Sequence, residues 1–79
     1  MNEVAVDKTI DARGTYCPGP LMELIKSLKS APLNFAIEVW SSDSGSATDI
    51  PVWVKKVGHE LLYVIAEPEF WRIAVRKTK

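Results

Sequence analysis

The sequence predicts a two-layer α/β (α+β) sandwich of order β-α-β-α-β-β, with a four-stranded mixed sheet and two helices on one face of it. Three observations carry that expectation. Two stretches place apolar residues at i, i+3, i+4 and i+7, the pattern of a helix with one dry face. Four others are β-prone and lie between turn formers. The length, 79 residues, suits a single domain over residues 1–79 with one modest core.

Val4 to Asp11 alternates loosely, which predicts a frayed start and a strand over Lys8 to Ala12, punctuated by Gly14. Leu21, Leu24, Ile25 and Leu28 then form the first apolar stripe, with Glu23, Lys26, Ser27 and Lys29 on the wet side. Pro18 and Pro20 precede it, and proline is tolerated in a first turn, where the N–H groups have no intrahelical acceptor. The helix is therefore expected to start near Pro18, with Cys17 about at its N-cap, and to stop before Pro32. Phe35 to Trp40 alternates, with Phe35, Ile37 and Val39 on one face and Ala36, Glu38 and Trp40 on the other. Ser41 to Ser46 is a loop by composition.

Ile50, Trp53, Val54 and Val57 make the second stripe. Its N-cap is either Thr48, placing Pro51 third in the helix, or Ser46, with Asp49 three residues on. The helix then runs from Ala47 or Asp49 to Val57, with Gly58 as its C′ residue. Leu61 to Ala66 is continuously apolar and reads as a buried strand. Glu67-Pro68-Glu69 is a turn, and Phe70 to Arg76 alternates, closing a hairpin. The first β-α-β unit is expected to be a right-handed parallel crossover.

Ten basic residues balance ten acidic ones, so the basic excess of a general nucleic-acid binder is missing, although Arg72, Arg76, Lys77 and Lys79 allow a local patch. No apolar run approaches the roughly 20 residues of a membrane helix, and Met1 to Lys8 does not read as a secretory signal. The single cysteine excludes an intramolecular disulfide, a CxxC redox pair and a cysteine-based zinc site within one chain. A lone thiol fits a reducing compartment, and the expected location is the cytoplasm. The sequence calls for no cofactor and no metal.

That cysteine lies in Arg13-Gly14-Thr15-Tyr16-Cys17-Pro18-Gly19-Pro20-Leu21. A lone cysteine is more often a small core residue than a nucleophile. Cys17, however, falls off the stripe that begins at Leu21 and sits at a helix start among turn formers. The positive end of a helix lowers a thiol pKa, and Arg13 adds a cation if the loop folds back. Pro18 and Pro20 stiffen the backbone, and Gly19 has no side chain to block an incoming sulfur. His59, the only histidine, follows the second helix and reads as a C-terminal capping residue, away from the first helix start. Trp53 and Trp71 fall on inward faces, while Trp40 lies on the sheet face opposite the helices. A thiol with no recognisable base, second cysteine or oxyanion hole suits a carrier better than a self-sufficient enzyme. The competing reading is a non-catalytic binding or regulatory adaptor domain, for RNA or protein, with Cys17 incidental or redox-sensing.

Cys17-Pro18-Gly19-Pro20 resembles the CPxP motif of the TusA/SirA-like sulfur carriers. Asp11-Ala12-Arg13-Gly14 resembles the family's lead-in, Asp49-Ile50-Pro51 its second helix, Gly58-His59-Glu60 the step into its third strand, and Ile73 to Lys77 its ending. Thr15, where the family often has leucine, and Ser42-Asp43-Ser44, where many members have an acidic pair followed by proline, depart from the pattern. The resemblance implies the same two-layer fold and a persulfide (or thiosulfate) sulfur carried on Cys17. It implies partners such as cysteine desulfurases, rhodaneses or DsrE-like proteins, in tRNA thiolation, molybdenum-cofactor supply or sulfur oxidation.

Overall fold

The structure, a computed structural model, describes residues 6–15 and 19–79. Its elements are β1 (Lys8–Asp11), α1 (Gly19–Ser30), β2 (Ala36–Ser41), α2 (Ser44–Val57), β3 (Glu60–Ala66) and β4 (Trp71–Arg76). The expected order and fold class are those observed. The sheet runs β1-β2-β4-β3, with β1 parallel to β2 and β4 antiparallel to both β2 and β3. Among the described residues no helix is long and apolar enough to cross a membrane.

Register decides which side chains meet. Val39 lies opposite Ile73, and Ile37 opposite Val75. These four are fully buried, and Leu24 and Leu28 of α1 join Ile50 and Val54 of α2 on top of them. Both apolar stripes thus close one core on one face of the sheet, which is what removing two half-apolar helices from water requires. The intervening register positions, Glu38 with Ala74 and Trp40 with Arg72, belong to the other face.

Three expectations change. First, α2 starts earlier than either proposed cap allows. Asp43, read as a loop residue, is its N-cap: the carboxylate accepts the Gly45 N–H at 3.2 Å and its carbonyl accepts the Ser46 N–H at 3.0 Å. Pro51 is consequently inside the helix, not in its first turn, and Asp49 is an exposed helical residue. Second, β3 is not a buried strand. It is an edge, half-buried at most positions, with Val64 41% exposed and a register irregularity between Leu61 and Tyr63. The sequentially last strand, β4, takes the interior place instead. Third, β2 begins and ends one residue later than its alternation suggested, which brings Ser41 into the core.

Other expectations hold. Gly58 ends α2 with φ of 93°, and the N–H groups of Gly58 and His59 both donate to the Val54 carbonyl, at 3.1 and 3.0 Å. Trp53 and Trp71 are partly buried against the core.

Candidate functional site

The two helices begin at the same end of the sheet. β1 and β2 are parallel, so the chain must return to the same end before each strand, and α1 and α2 both run back along the sheet. The loops that open the helices are joined directly: the Gly14 N–H donates to the Ser42 hydroxyl at 2.9 Å. Cys17 and Pro18 lie outside the described residues, so the expected N-cap position of Cys17 is described only through its flanks.

Those flanks are tightly ordered by local chemistry. Gly14 has φ of +88°, and a Cβ built there meets nothing within 4 Å, so glycine serves the backbone conformation and not the space. The next residue folds over: the Thr15 hydroxyl donates to the Ala12 carbonyl at 2.7 Å, and the Thr15 N–H to the same oxygen at 3.3 Å. Gly19 answers a different need. A Cβ there would stand 3.2 Å from Thr15 Oγ1 and 3.3 Å from its Cβ, so the absence of a side chain lets the two flanks of the cysteine segment approach. Pro20, the second residue of α1, is fully buried and anchors the helix start in the core. α1 begins two residues after Cys17, with no acidic residue in its first turn to offset the helix's positive end.

Arg13 is held by the sheet's open face. Its Nε donates to Asp11 Oδ1 at 2.9 Å and its Nη2 to Oδ2 at 2.8 Å, a two-pronged pair. The guanidinium carbon lies 4.9 Å from the ring centre of Trp40 and 5.1 Å from that of Phe70. The Arg13 hydrogen bonds hold the Asp11 carboxyl down at about 2, and Asp11 in turn raises Arg13. Arg13, expected to add a cation if the loop folds back, is thus paired with Asp11 on the open face. Asp11, Arg13, Gly14 and Ser42 line an open groove of about 510 Å³, with Glu69 and Phe70 on its far wall.

Beneath this groove sits a polar cluster. Glu38 is only 3% exposed although no helix covers its face of the sheet. Trp40 Nε1–H donates to it at 2.6 Å, Arg72 donates through Nε at 3.2 Å and Nη2 at 3.0 Å, and the Tyr63 hydroxyl donates to its Oε2. Burial, the largest single influence on Glu38, favours the neutral acid, but the bonds from Arg72, Tyr63 and Trp40 together bring its pKa below the ordinary value. Burial, followed by the bond to Glu38, pushes the Tyr63 hydroxyl up to about 12.

Sequence reasoning brought forward Arg13, Gly19 and Pro20 but missed Asp11, Trp40, Phe70 and Ser42. Alternation already placed Trp40 on the open face. What it lacked was the register that sets Asp11 beside Trp40 across the β1–β2 ladder. His59 is remote from the site: it lines a second groove with Lys29, at the end of α1 opposite Gly19.

Fold and motif together define a class: a small α+β domain whose only cysteine stands in a Cys-Pro-Gly-Pro segment opening the first helix. The chain belongs to the TusA family, whose description "Sulfurtransferase TusA" fits residues 8–77. It is 60% identical over 70 residues to a protein of Archaeoglobus fulgidus named "Putative sulfur carrier protein", covering 89% of this chain and 96% of that one. It is 31% identical over 77 residues to the "Sulfur carrier protein TusA" of Pseudomonas syringae pv. tomato, covering 98% of this chain and 92% of the relative. The crystal structure of a SirA-like protein from Desulfitobacterium hafniense shares the fold, with a TM-score of 0.78 at 19% identity over 91% of this chain and 99% of that one.

Proposed function

We propose that this protein is a sulfur carrier that accepts a sulfane sulfur on Cys17 and passes it to a second protein. The observation that carries the reading is the family match over residues 8–77, with the chain's only cysteine inside the motif segment. The chemistry is thiol exchange with sulfur as cargo. The Cys17 thiolate attacks the outer sulfur of a donor persulfide, R–S–SH. The donor's inner sulfur leaves as R–S⁻, and Cys17 becomes Cys–S–SH. An acceptor thiolate then attacks that outer sulfur and regenerates the Cys17 thiolate. No oxidant or cofactor enters either step.

Gly19 and Pro20 serve this role by keeping the helix start bare and stiff, and Pro18 by the fixed φ that any proline brings to the residue after Cys17. Arg13 serves it by pinning the lead-in turn to Asp11, Trp40 and Phe70. A single thiol holds only the sulfur in transit, so partners supply donor and acceptor, and persulfide-forming proteins such as cysteine desulfurases, rhodaneses or DsrE-like proteins have the matching chemistry. The cytoplasm, a reducing compartment, suits a single unpaired thiol.

Intact-mass spectrometry tests the proposal. After treatment with a sulfane-sulfur donor and a loading partner, the protein gains about 32 Da per sulfur, or about 112 Da where the partner's cysteine hands over a thiosulfonate group it already carries and leaves as its thiolate, and reductant removes either. Cys17→Ser abolishes the gain. Equal loading of the serine variant would defeat the reading, and a mixed disulfide with a partner in place of an added sulfur would favour the redox adaptor.

A further inference from the structure

A separate feature stands at the opposite end of the molecule, roughly 16 Å from Gly19 by the length of α1. Here the C-terminal ends of α1 and α2 converge on a groove of about 270 Å³. Its floor is Ile25, Leu28 and Trp53, and its rim is Lys29, Lys77 and Lys79. Lys55 and Lys56 extend the positive charge along the last turn of α2. Part of this charge has a local use, because Lys77 Nζ donates to the Ala31 carbonyl at 2.7 Å. Two helix C-termini carry together about one unit of negative charge, so these lysines leave a clear positive surplus. Of the side-chain carboxylates near this end, Glu60 is paired with Arg76 at 3.2 Å, and Asp7, which accepts the Ala36 N–H at 2.9 Å, takes only one charge from that surplus. His59 registers the same field, since burial first, then Lys77 and Lys79, lower its pKa. Its Nδ1 accepts the Thr78 N–H at 3.2 Å, as a neutral imidazole can.

We infer that this end docks an acidic peptide segment of a partner protein, with one apolar side chain seated on the Ile25 and Leu28 floor beside Trp53 and its carboxylates spread between Lys29, Lys79 and the last turn of α2. The cavity has room for one side chain on an apolar floor, and basic side chains continue from its rim onto the last turn of α2, more cations than one small anion needs. A nucleic-acid strand fits the floor less well. Trp53 is packed against the core, and the His59 ring stands over it at 5.9 Å, tilted by 47°, which disfavours a parallel base stack. A partner held here leaves the Cys17 end uncovered, so the site is independent of the sulfur-carrier reading.

The test is a titration of the ¹⁵N-labelled protein, followed by NMR, with a synthetic peptide of four glutamates around one phenylalanine. The expected shifts fall on the Lys29, His59 and Lys79 amides and the Trp53 indole, and weaken as salt rises. The Lys29→Gln/Lys79→Gln variant, altered at two exposed positions, weakens binding at least several-fold while the rest of its spectrum is unchanged. A peptide with glutamines for the glutamates loses most of the effect. Equal binding of the glutamine peptide, shifts located elsewhere, or stronger binding of an oligothymidylate at this end would each overturn the inference. None of these readouts involves the thiol.

Discussion

Glu38 is a carboxylate in a place where an unpaired one would be very costly, and its partners explain why it stays charged. Burial of an ion is repaid only when geometry and hydrogen bonds are good, and here Arg72, Tyr63 and Trp40 all donate to it. Arg72→Ala removes the only cation of that set. The expected loss is about 2–3 kcal/mol, less than for a fully buried pair because the Arg72 side chain keeps 25% of its surface in water. Urea unfolding at neutral pH measures it. The sign of the pH dependence follows from the lowered pKa. Ionised Glu38 stabilises the fold above its unfolded value, near 4.5, and that contribution disappears as pH falls through the lower folded value. The parent's urea midpoint should therefore fall in this acid range more steeply than that of Arg72→Ala. At this scale the sequence was partly legible: alternation put Glu38 and Trp40 on one face. Tyr63 and Arg72 reach them only through the pairing of β2, β4 and β3, which no local pattern encodes.

At the scale of elements, the two apolar stripes were enough to find both helices, and Gly58 was enough to end the second. The start of α2 was not legible, because Ser, Asp and Gly in a row suit a loop as well as a first turn. Asp43 decides the matter through bonds to Gly45 and Ser46 that only the folded geometry displays. A consequence is that Pro51 occupies a helix interior, where it withholds the N–H that residue 51 would otherwise offer to the Ala47 carbonyl. Interior proline costs about 3 kcal/mol, offset in part by about 0.4–1 kcal/mol from stiffening the unfolded chain. Pro51→Ala should raise stability by about 2–2.5 kcal/mol, seen as a higher melting midpoint by circular dichroism, and a lower midpoint would contradict this account. β3 was misread for a related reason. A run of apolar residues reports hydrophobicity but not position, and an edge strand and an interior strand can share it.

For the whole molecule, size sets the margin. A domain of 79 residues is expected to be stable by roughly 4–12 kcal/mol. Leu24 is fully buried between the helix layer and the sheet, and truncating such a leucine costs about 2–5 kcal/mol. Leu24→Ala should thus lose a large share of the total, with a urea midpoint reduced by about a sixth or more. Element order and the two-layer arrangement were legible because each stripe demanded a covering partner, whereas the insertion of β4 between β2 and β3 was not foreseen. That the helices start at one end also joins two distant loops through the Gly14 to Ser42 bond. The acceptor for the Gly14 amide thus belongs to the β2–α2 loop and not to the cysteine segment. Chimeras between family members should therefore exchange both loops together, since a transplanted cysteine loop set against a foreign β2–α2 loop arrives with its Gly14 amide matched to the wrong acceptor.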